Sequence, residues 1–437
     1  MEFIKKHKIT FVIFLGLLIR LSLLFLDYSW DVNSFIAWGK DLNQRGFPGF
    51  YETISSEVYA PKYPNYPPFS LFMFYLIYPL KKIIFDFVWF LNTTIPAFPS
   101  NLVLFVEKRS FIAGLFKLPG IFADLAIGIL MLKFSQKLVP NNKKIALLAL
   151  MLILLNPAVF YISAYWGQID SIPLLLTLSS VYLLMFSKRH IWSFLLFVSA
   201  VLFKPTVLLF FPIYLVYFIW KFGLYKFIKT FCLSNILFWL TFLPFFKKGN
   251  ILTFPYTTYY KSILLGQDLT FTTNSAFNFW AVVTGFNNIQ DSAKFIFNFS
   301  YQQIGLLITF GFLLFITIVL LKKEFNLKYF IYALTLSVFS SFLFLTKMHE
   351  RYSILILPFI LLLGVIEKKN LKIFIILSII SFFNLYHSWP VPRNETLLAL
   401  LSNNIVVVLI STLNVFLFGL LFLEFIKLKK EGELKKK

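Results

Sequence analysis

Residues 143–190 read KKIALLALMLILLNPAVFYISAYWGQIDSIPLLLTLSSVYLLMFSKRH, and this stretch decides the fold. Between Lys144 and Lys188 the only charged side chain is Asp170. Two apolar runs, 145–162 and 171–186, flank the polar turn Trp166-Gly167-Gln168-Ile169-Asp170. A helix rises about 1.5 Å per residue, so roughly 17–25 apolar residues cross a hydrocarbon layer of ~30 Å. Runs a little shorter than that lengthen by a few residues at their ends. Cations at both outer ends and one acid at the tip describe a helical hairpin that enters and leaves the membrane on the same basic side.

Ten further apolar runs extend the pattern: 11–26, 111–132, 190–203, 206–220, 230–246, 304–321, 329–346, 353–366, 371–386 and 403–424. Of the 437 residues, 59% are hydrophobic and 14% charged, and mean hydropathy is +0.79. Soluble chains run near half apolar and a quarter charged. A soluble enzyme, a disordered tail and a nucleic-acid module are thereby excluded. The net charge of +22 belongs to loops between spans rather than to a nucleic-acid partner. Cys232, the one cysteine, lies in an apolar run and forms no intrachain disulfide. No small-residue cleavage site follows residues 9–26, which read as a retained first helix.

The expectation is an all-α polytopic integral membrane protein, one domain over 1–437, with a bundle of about 12 (12–14) transmembrane helices. Segments 1–10, 133–144, 187–190, 221–229, 322–328, 367–372 and 427–437 hold 24 of the 41 Lys and Arg. They share one face if the helices alternate, and the positive-inside rule makes that face cytoplasmic, with both termini and the basic 427–437 tail on it. A first external loop, 27–110, and a large one, 247–303, then lie outside. Because the first helix leaves the cytoplasm and the helix ending at Lys133 returns, the stretch between them crosses an even number of times. Residues 68–91 are too few for two crossings, so Pro68–Phe90 reads as an amphipathic segment lying in the outer interface. One extra crossing with an inverted loop, giving 13 helices, is the alternative.

The unusual polar clusters all map to that external side. They are Asp31 in Ser29-Trp30-Asp31-Val32-Asn33, Asn65-Tyr66-Pro67-Pro68, Lys117-Leu118-Pro119, Trp166-Gly167-Gln168-Ile169-Asp170, Lys204-Pro205 and Lys347-Met348-His349-Glu350-Arg351-Tyr352. Taken with Trp38, Gly46, Ala123-Asp124-Leu125 and Asn156-Pro157-Ala158, this ordered set over about residues 10–365 resembles the GT-C superfamily. Those are polytopic glycosyltransferases that use polyprenyl-phosphate sugars. Within it the chain looks most like prokaryotic proteins similar to the second GPI mannosyltransferase. The dolichyl-phosphate-glucose glucosyltransferases are a neighbouring branch.

The resemblance implies a GT-C-like bundle with membrane-lying helices in the first external loop, and a polyprenyl-phosphate hexose donor with mannose ahead of glucose. The acceptor is a hydroxyl of a glycan, glycolipid or lipid-linked saccharide. Such a transfer needs a carboxylate to take the acceptor proton and cations to hold the leaving phosphate. Asp31, about five residues past the first helix, sits where lipid and water meet. By position alone it also reads as a helix-capping acid, as Asp27 and Asp41 do; the resemblance assigns it as general base. Arg351 offers a planar fork for phosphate, His349 a hydrogen bond, and Glu350 orients one of them. Lys204 and Lys117 either reach headgroups or meet the donor phosphate, and the resemblance favours the phosphate. Gln168 and Asp170 are expected to position sugar or acceptor. Trp166 either stacks on a sugar or anchors at the interface. Tyr66-Pro67-Pro68 reads as structural, with Pro setting a helix start. Arg20 and Asp124, inside spans, read as a pair that locks two helices.

No cofactor is demanded and no metal site is expected: His7, His190, His349 and His387 show no ligand spacing. Some superfamily members use Mg²⁺ or Mn²⁺, which here would fall to Asp31 with a second acid. The multi-pass protein belongs in the plasma membrane of a prokaryote or the endoplasmic reticulum of a eukaryote, its site extracytoplasmic. The rival class is a transporter or flippase of lipid-linked saccharides. Those carry binding groups near the midplane and internal repeats, whereas here polar groups gather at one face. A scaffold that kept the fold without catalysis is a second rival, which the presence of Asp31 disfavours.

Overall fold

The computed structural model describes residues 7–58, 60–266, 269–322 and 325–428. Most of the basic 427–437 tail, and parts of the basic segments 1–10 and 322–328, lie outside the described residues. The chain opens with α1 (Lys8–Leu23), α2 (Trp30–Arg45), α3 (Pro68–Ile77), α4 (Leu80–Thr94), α5 (Asn101–Glu107) and α6 (Arg109–Leu138). It continues with α7 (Lys143–Leu154), α8 (Pro157–Phe160), α9 (Ser171–Phe186), α10 (His190–Phe203), α11 (Phe211–Phe222) and α12 (Leu224–Phe242). Two short helices, α13 (Phe254–Thr258) and α14 (Phe279–Thr284), precede α15 (Tyr301–Lys322), α16 (Leu327–Phe344), α17 (Leu357–Ile366), α18 (Asn370–Ser388), α19 (Glu395–Ser402) and α20 (Asn404–Lys427). The strands are minor: β1 (Thr273–Asn274), β2 (Lys294–Ile296), β3 (Phe299–Ser300) and β4 (Met348–His349).

All twelve apolar runs read from the sequence are helical along most of their length. Among the described residues, seven helices are long and apolar enough to cross a membrane: Arg109–Leu138, Pro205–Phe222, Leu224–Phe245, Tyr301–Lys322, Leu327–Phe344, Asn370–Ser388 and Asn404–Lys427. The pair Lys143–Leu154 and Pro157–Trp166, bent by 42°, makes an eighth if it is one span, and Ser171–Phe186 and His190–Phe203 are shorter apolar helices. The bend has a local cause. Pro157 cannot donate to the preceding turn, and Asn156 takes over by accepting from Ala158 N at 3.0 Å.

α16 is buried from Tyr329 to Phe344 and forms the centre of the bundle. Its hydroxyls are satisfied mostly within the helix, Thr335 donating to Ile331 O at 2.7 Å and Ser341 to Ser337 O at 2.8 Å. Ser337 instead crosses to Leu209 O at 2.8 Å. Small residues of this kind let helices approach closely where lipid offers no hydrophobic drive for association. α15 buries little, and its exposed Leu306, Phe310 and Leu314 suit a lipid-facing helix.

Arg20 and Asp124 do pair, fully buried, with Nε to Oδ2 at 2.8 Å. Arg20 Nη1 also donates to Gly16 O and Leu154 O at 2.9 Å, and Asp124 Oδ2 accepts from Ser163 at 2.6 Å. Ser171 donates to the other Asp124 oxygen. One charge pair thus ties together α1, α6, the end of α7 and both sides of the Trp166 turn.

The stretch 68–91 is two helices rather than one segment, broken at Tyr78-Pro79. α3 packs inward, with Ser70, Leu71 and Phe74 fully buried and Phe74 stacked on Phe35 of α2 at 4.5 Å. α4 buries no residue. Pro68 does start its helix, as expected. In the 247–303 region, β1 pairs in parallel with β4, placing Asn274 opposite His349. That pairing fastens the large loop to the corner after α16.

Candidate functional site

Asp31 occupies the first turn of α2, where a carboxylate faces the positive end of the helix dipole. The helix start is tied to the Trp166 turn twice. Ser29 N donates to Trp166 O at 3.0 Å, and Trp166 Nε1 donates to Asp31 Oδ2 at 3.3 Å. Gly167 makes this approach feasible. Its φ is +88°, and a Cβ there would stand 2.4 Å from Val32 Cγ2, so a side chain would push α2 away. The two sequence motifs, 135 residues apart, therefore meet.

Lys204 follows α10 and is buried. Its ammonium lies 2.8 Å from each oxygen of Asp170 and 3.5 Å from Gln168 Oε1, and it sits 5.7 Å from the centre of the Tyr66 ring. Burial lowers the Lys204 pKa, and the Asp170 carboxylate opposes that shift. Gln168 is buried with Nε2 unpartnered among the described residues. Lys117 is placed differently. It donates to Leu24 O at 3.0 Å, Ala164 O at 2.8 Å and Asp27 O. Its three protons bind the end of α1 to the Trp166 turn, and it does not line the cavity described next.

His349, Glu350 and Arg351 form the corner between β4 and the 3₁₀ turn Glu350–Ile356. Arg351 Nη1 donates to Glu350 Oε1 at 3.0 Å, and His349 Nδ1 faces Glu350 Oε2 at 3.8 Å. Burial alone would raise the Glu350 carboxyl, but the facing imidazole and the Arg351 charge outweigh it and hold the pKa at about 2. Burial, reinforced by Arg351, lowers His349 below its ordinary value, so the ring is neutral near pH 7. Burial works against charge on Arg351, while Asp31 first and Glu350 next more than compensate. The Arg351 guanidinium carbon lies 6.0 Å from the Trp166 ring centre and its Nε is buried without a partner among the described residues. Asn274 Nδ2, supplied by the β1–β4 pairing, stands 3.5 Å from His349 Nε2.

These groups converge on one cavity of about 190 Å³ lined by Asp31, Ser34, Trp38, Asn65, Tyr66, Lys204, His349, Arg351 and Tyr352, among others. Of the residues expected from the sequence to act on donor or acceptor, Asp31, Lys204, His349 and Arg351 line it directly. Trp166, Gln168, Asp170 and Glu350 stand behind them as partners. Tyr66, read as structural, is on the wall, packed on Trp38 with ring centres 5.5 Å apart. Asn274 was missed because no local pattern marks a residue whose role comes from pairing with position 349.

One carboxylate, Asp31, thus lines the same cavity as Arg351 and Lys204, in a space rimmed with aromatic rings. It can take a proton from a hydroxyl while Arg351 receives an anion. A divalent cation beside Asp31 does not suit this donor set: the other acids here, Asp170 and Glu350, are engaged by Lys204 and Arg351. Among the described residues no group of three or more His, Cys, Asp or Glu is placed to hold a metal.

The family described as the ALG6, ALG8 glycosyltransferase family matches residues 65–434. No curated protein matches the chain. The family covers most of the sequence, and the chain belongs to it: it is a membrane glycosyltransferase of a family that uses lipid-linked sugar donors. Within the matched range lie Tyr66, Lys204, His349 and Arg351, while Asp31 and Trp38 come from the segment before it.

Proposed function

We propose that this protein transfers a hexose from a polyprenyl-phosphate donor to a hydroxyl of a glycan, glycolipid or lipid-linked acceptor, inverting the anomeric carbon in one displacement. The acceptor oxygen attacks the anomeric carbon and its proton passes to Asp31. The bond from that carbon to the phosphate oxygen breaks, and its electron pair leaves with the lipid phosphate. Arg351 receives the departing charge through N–H groups that Glu350 does not occupy. His349 lines the same wall, and its contacts with Glu350 and Asn274 fix its ring orientation. Trp166 steers the Asp31 carboxylate. Lys204 contributes positive potential while held by Asp170 and Gln168, and Lys117 holds the elements that carry Asp31 and Trp166. Holding the two substrates together supplies much of the acceleration.

The observation that supports this reading is the convergence of Asp31 and Arg351 on one cavity. Mannose is the sugar favoured by sequence resemblance; glucose belongs to the neighbouring branch, which the family match reaches. The proposed topology has twelve crossings, both termini cytoplasmic and the cavity extracytoplasmic, in the plasma membrane or, in a eukaryote, the endoplasmic reticulum.

The test is transfer of radiolabel from polyprenyl-phosphate mannose and, separately, glucose in membranes holding the wild type or Asp31→Asn. Transfer by the wild type alone is expected. Equal transfer by both proteins removes Asp31 as the base. Translocation of lipid-linked sugar without transfer makes the protein a transporter.

A further inference from the structure

A second cavity, of about 410 Å³, adjoins the first, and Pro61 lines both. Ile263 lines the first cavity and its neighbour Ser262 the second. The wall of the second is built from Tyr51, Lys62, Tyr63 and Lys261. Lys62 Nζ lies 5.7 Å from the centre of the Tyr63 ring. Lys247 lies over Gly49, two residues before Tyr51.

The charge balance of this region is uneven. Glu57 pairs with both Lys40 and Arg109 and Asp41 with Arg45, while Glu52, next to Tyr51 in the sequence, is exposed and forms no ion pair among the described residues. Lys62 and Lys261 have no carboxylate partner among the described residues. Two exposed ammonium groups without a carboxylate partner among the described residues, beside two tyrosines, give a concave, cationic, aromatic-walled space. Ammonium groups there give charge-assisted hydrogen bonds to an anion, and tyrosine rings suit sugar faces. A lysine at a membrane edge ordinarily extends to headgroups. Here both lysines border a cavity that shares a wall with the reacting centre.

We propose that the acceptor carries an anionic group, a carboxylate or phosphate close to the accepting hydroxyl, which this second cavity binds through Lys62 and Lys261. This rests on the glycosyltransferase reading above and adds the acceptor's chemical class to it.

The test uses the full chain in detergent and follows the rate at which an amine-reactive reagent labels Lys62 and Lys261, read by mass spectrometry. Octyl glucuronide and octyl phosphate are compared with octyl glucoside, which shares their tail and lacks the charge. At least one anionic probe is expected to protect both lysines at about a tenfold lower concentration than the glucoside. Binding of that probe, measured by Trp fluorescence, is expected to be lost in the double variant Lys62→Gln, Lys261→Gln. Equal protection by charged and neutral probes, or binding that survives the double substitution, overturns the proposal. Protection by phosphatidylglycerol nanodiscs but by neither soluble anion assigns the lysines to lipid headgroups and also overturns it. Asp31→Asn is expected to leave the protection unchanged. A failed transfer assay and a failed acceptor subsite are therefore read separately.

Discussion

The molecule places an arginine and an aspartate together in two regions, with opposite consequences. At Arg20 and Asp124 the pair is sealed. Asp124 accepts from Arg20 and two serines, Arg20 adds two backbone carbonyls, and neither side chain is exposed. Only Arg20 Nη2 lacks a partner among the described residues, and Arg20 does not line the cavity that Asp31 and Arg351 share. At Asp31 and Arg351 the same residue types have fewer protein partners among the described residues. Asp31 accepts from Trp166, Arg351 donates to Glu350, and both face open space. A buried ion pair recovers its desolvation cost through close geometry and added hydrogen bonds. Once every valence is filled it holds helices together. A carboxylate and a guanidinium that keep hydrogen-bonding capacity toward a cavity can give it to a ligand there.

The sharpest way to break this comparison is Asp31→Asn. It is expected to slow hexosyl transfer by about 10²- to 10⁴-fold, the range for a lost general base, with the melting temperature in detergent unchanged. Next comes the sealed pair. Asp124→Ala is expected to cost about 3–5 kcal/mol of stability, because it strands the buried Arg20 charge, and to leave transfer per folded molecule intact. Thermal unfolding together with turnover normalised to folded protein separates the two; a fall in normalised turnover would make the lock part of the site.

Arg351→Lys keeps the charge and removes the planar fork above Trp166. A loss of about 10- to 10³-fold in transfer is expected, read from kcat and KM for the donor. The smallest effect concerns acidity. His349 is depressed below its reference pKa of 6.5, so the folded protein binds its proton more weakly than the unfolded chain. Its contribution to stability is whole above about pH 6.5 and declines as pH falls toward the folded value, by at most ~1.4 kcal/mol per pH unit. Glu350, held at about 2 by His349 and Arg351 against its burial, contributes fully above its ordinary value of 4.5 and loses that contribution as pH falls from there toward about 2, below the pH range measured. Melting temperatures from pH 7.5 to 5 are expected to fall in the wild type and to flatten in His349→Gln.

Position in the chain revealed some of these contacts and hid others. Arg20 and Asp124 stood out because each interrupts an apolar run at a similar depth, and a charge there must find a partner. Lys117 interrupts its run in the same way, yet its partners are three carbonyls, which carry no sequence signal. The sequence points Lys204 and Asp170 each toward substrate, while the fold turns them toward each other. Tyr66 joined the cavity through packing on Phe35 and Trp38, a result of how α2 meets the loop before α3.

What the amino-acid order determined alone is the twelve long apolar helical runs and the clustering of polar residues near their ends. Hydropathy acts over one span at a time, and each span buries its own backbone polar groups. Which polar ends meet, and which meet a neighbour instead of a ligand, was decided only by tertiary packing. The bond from Trp166 to Asp31 and the Asn274–His349 contact join residues remote in sequence, and no local pattern encodes a distance across the bundle.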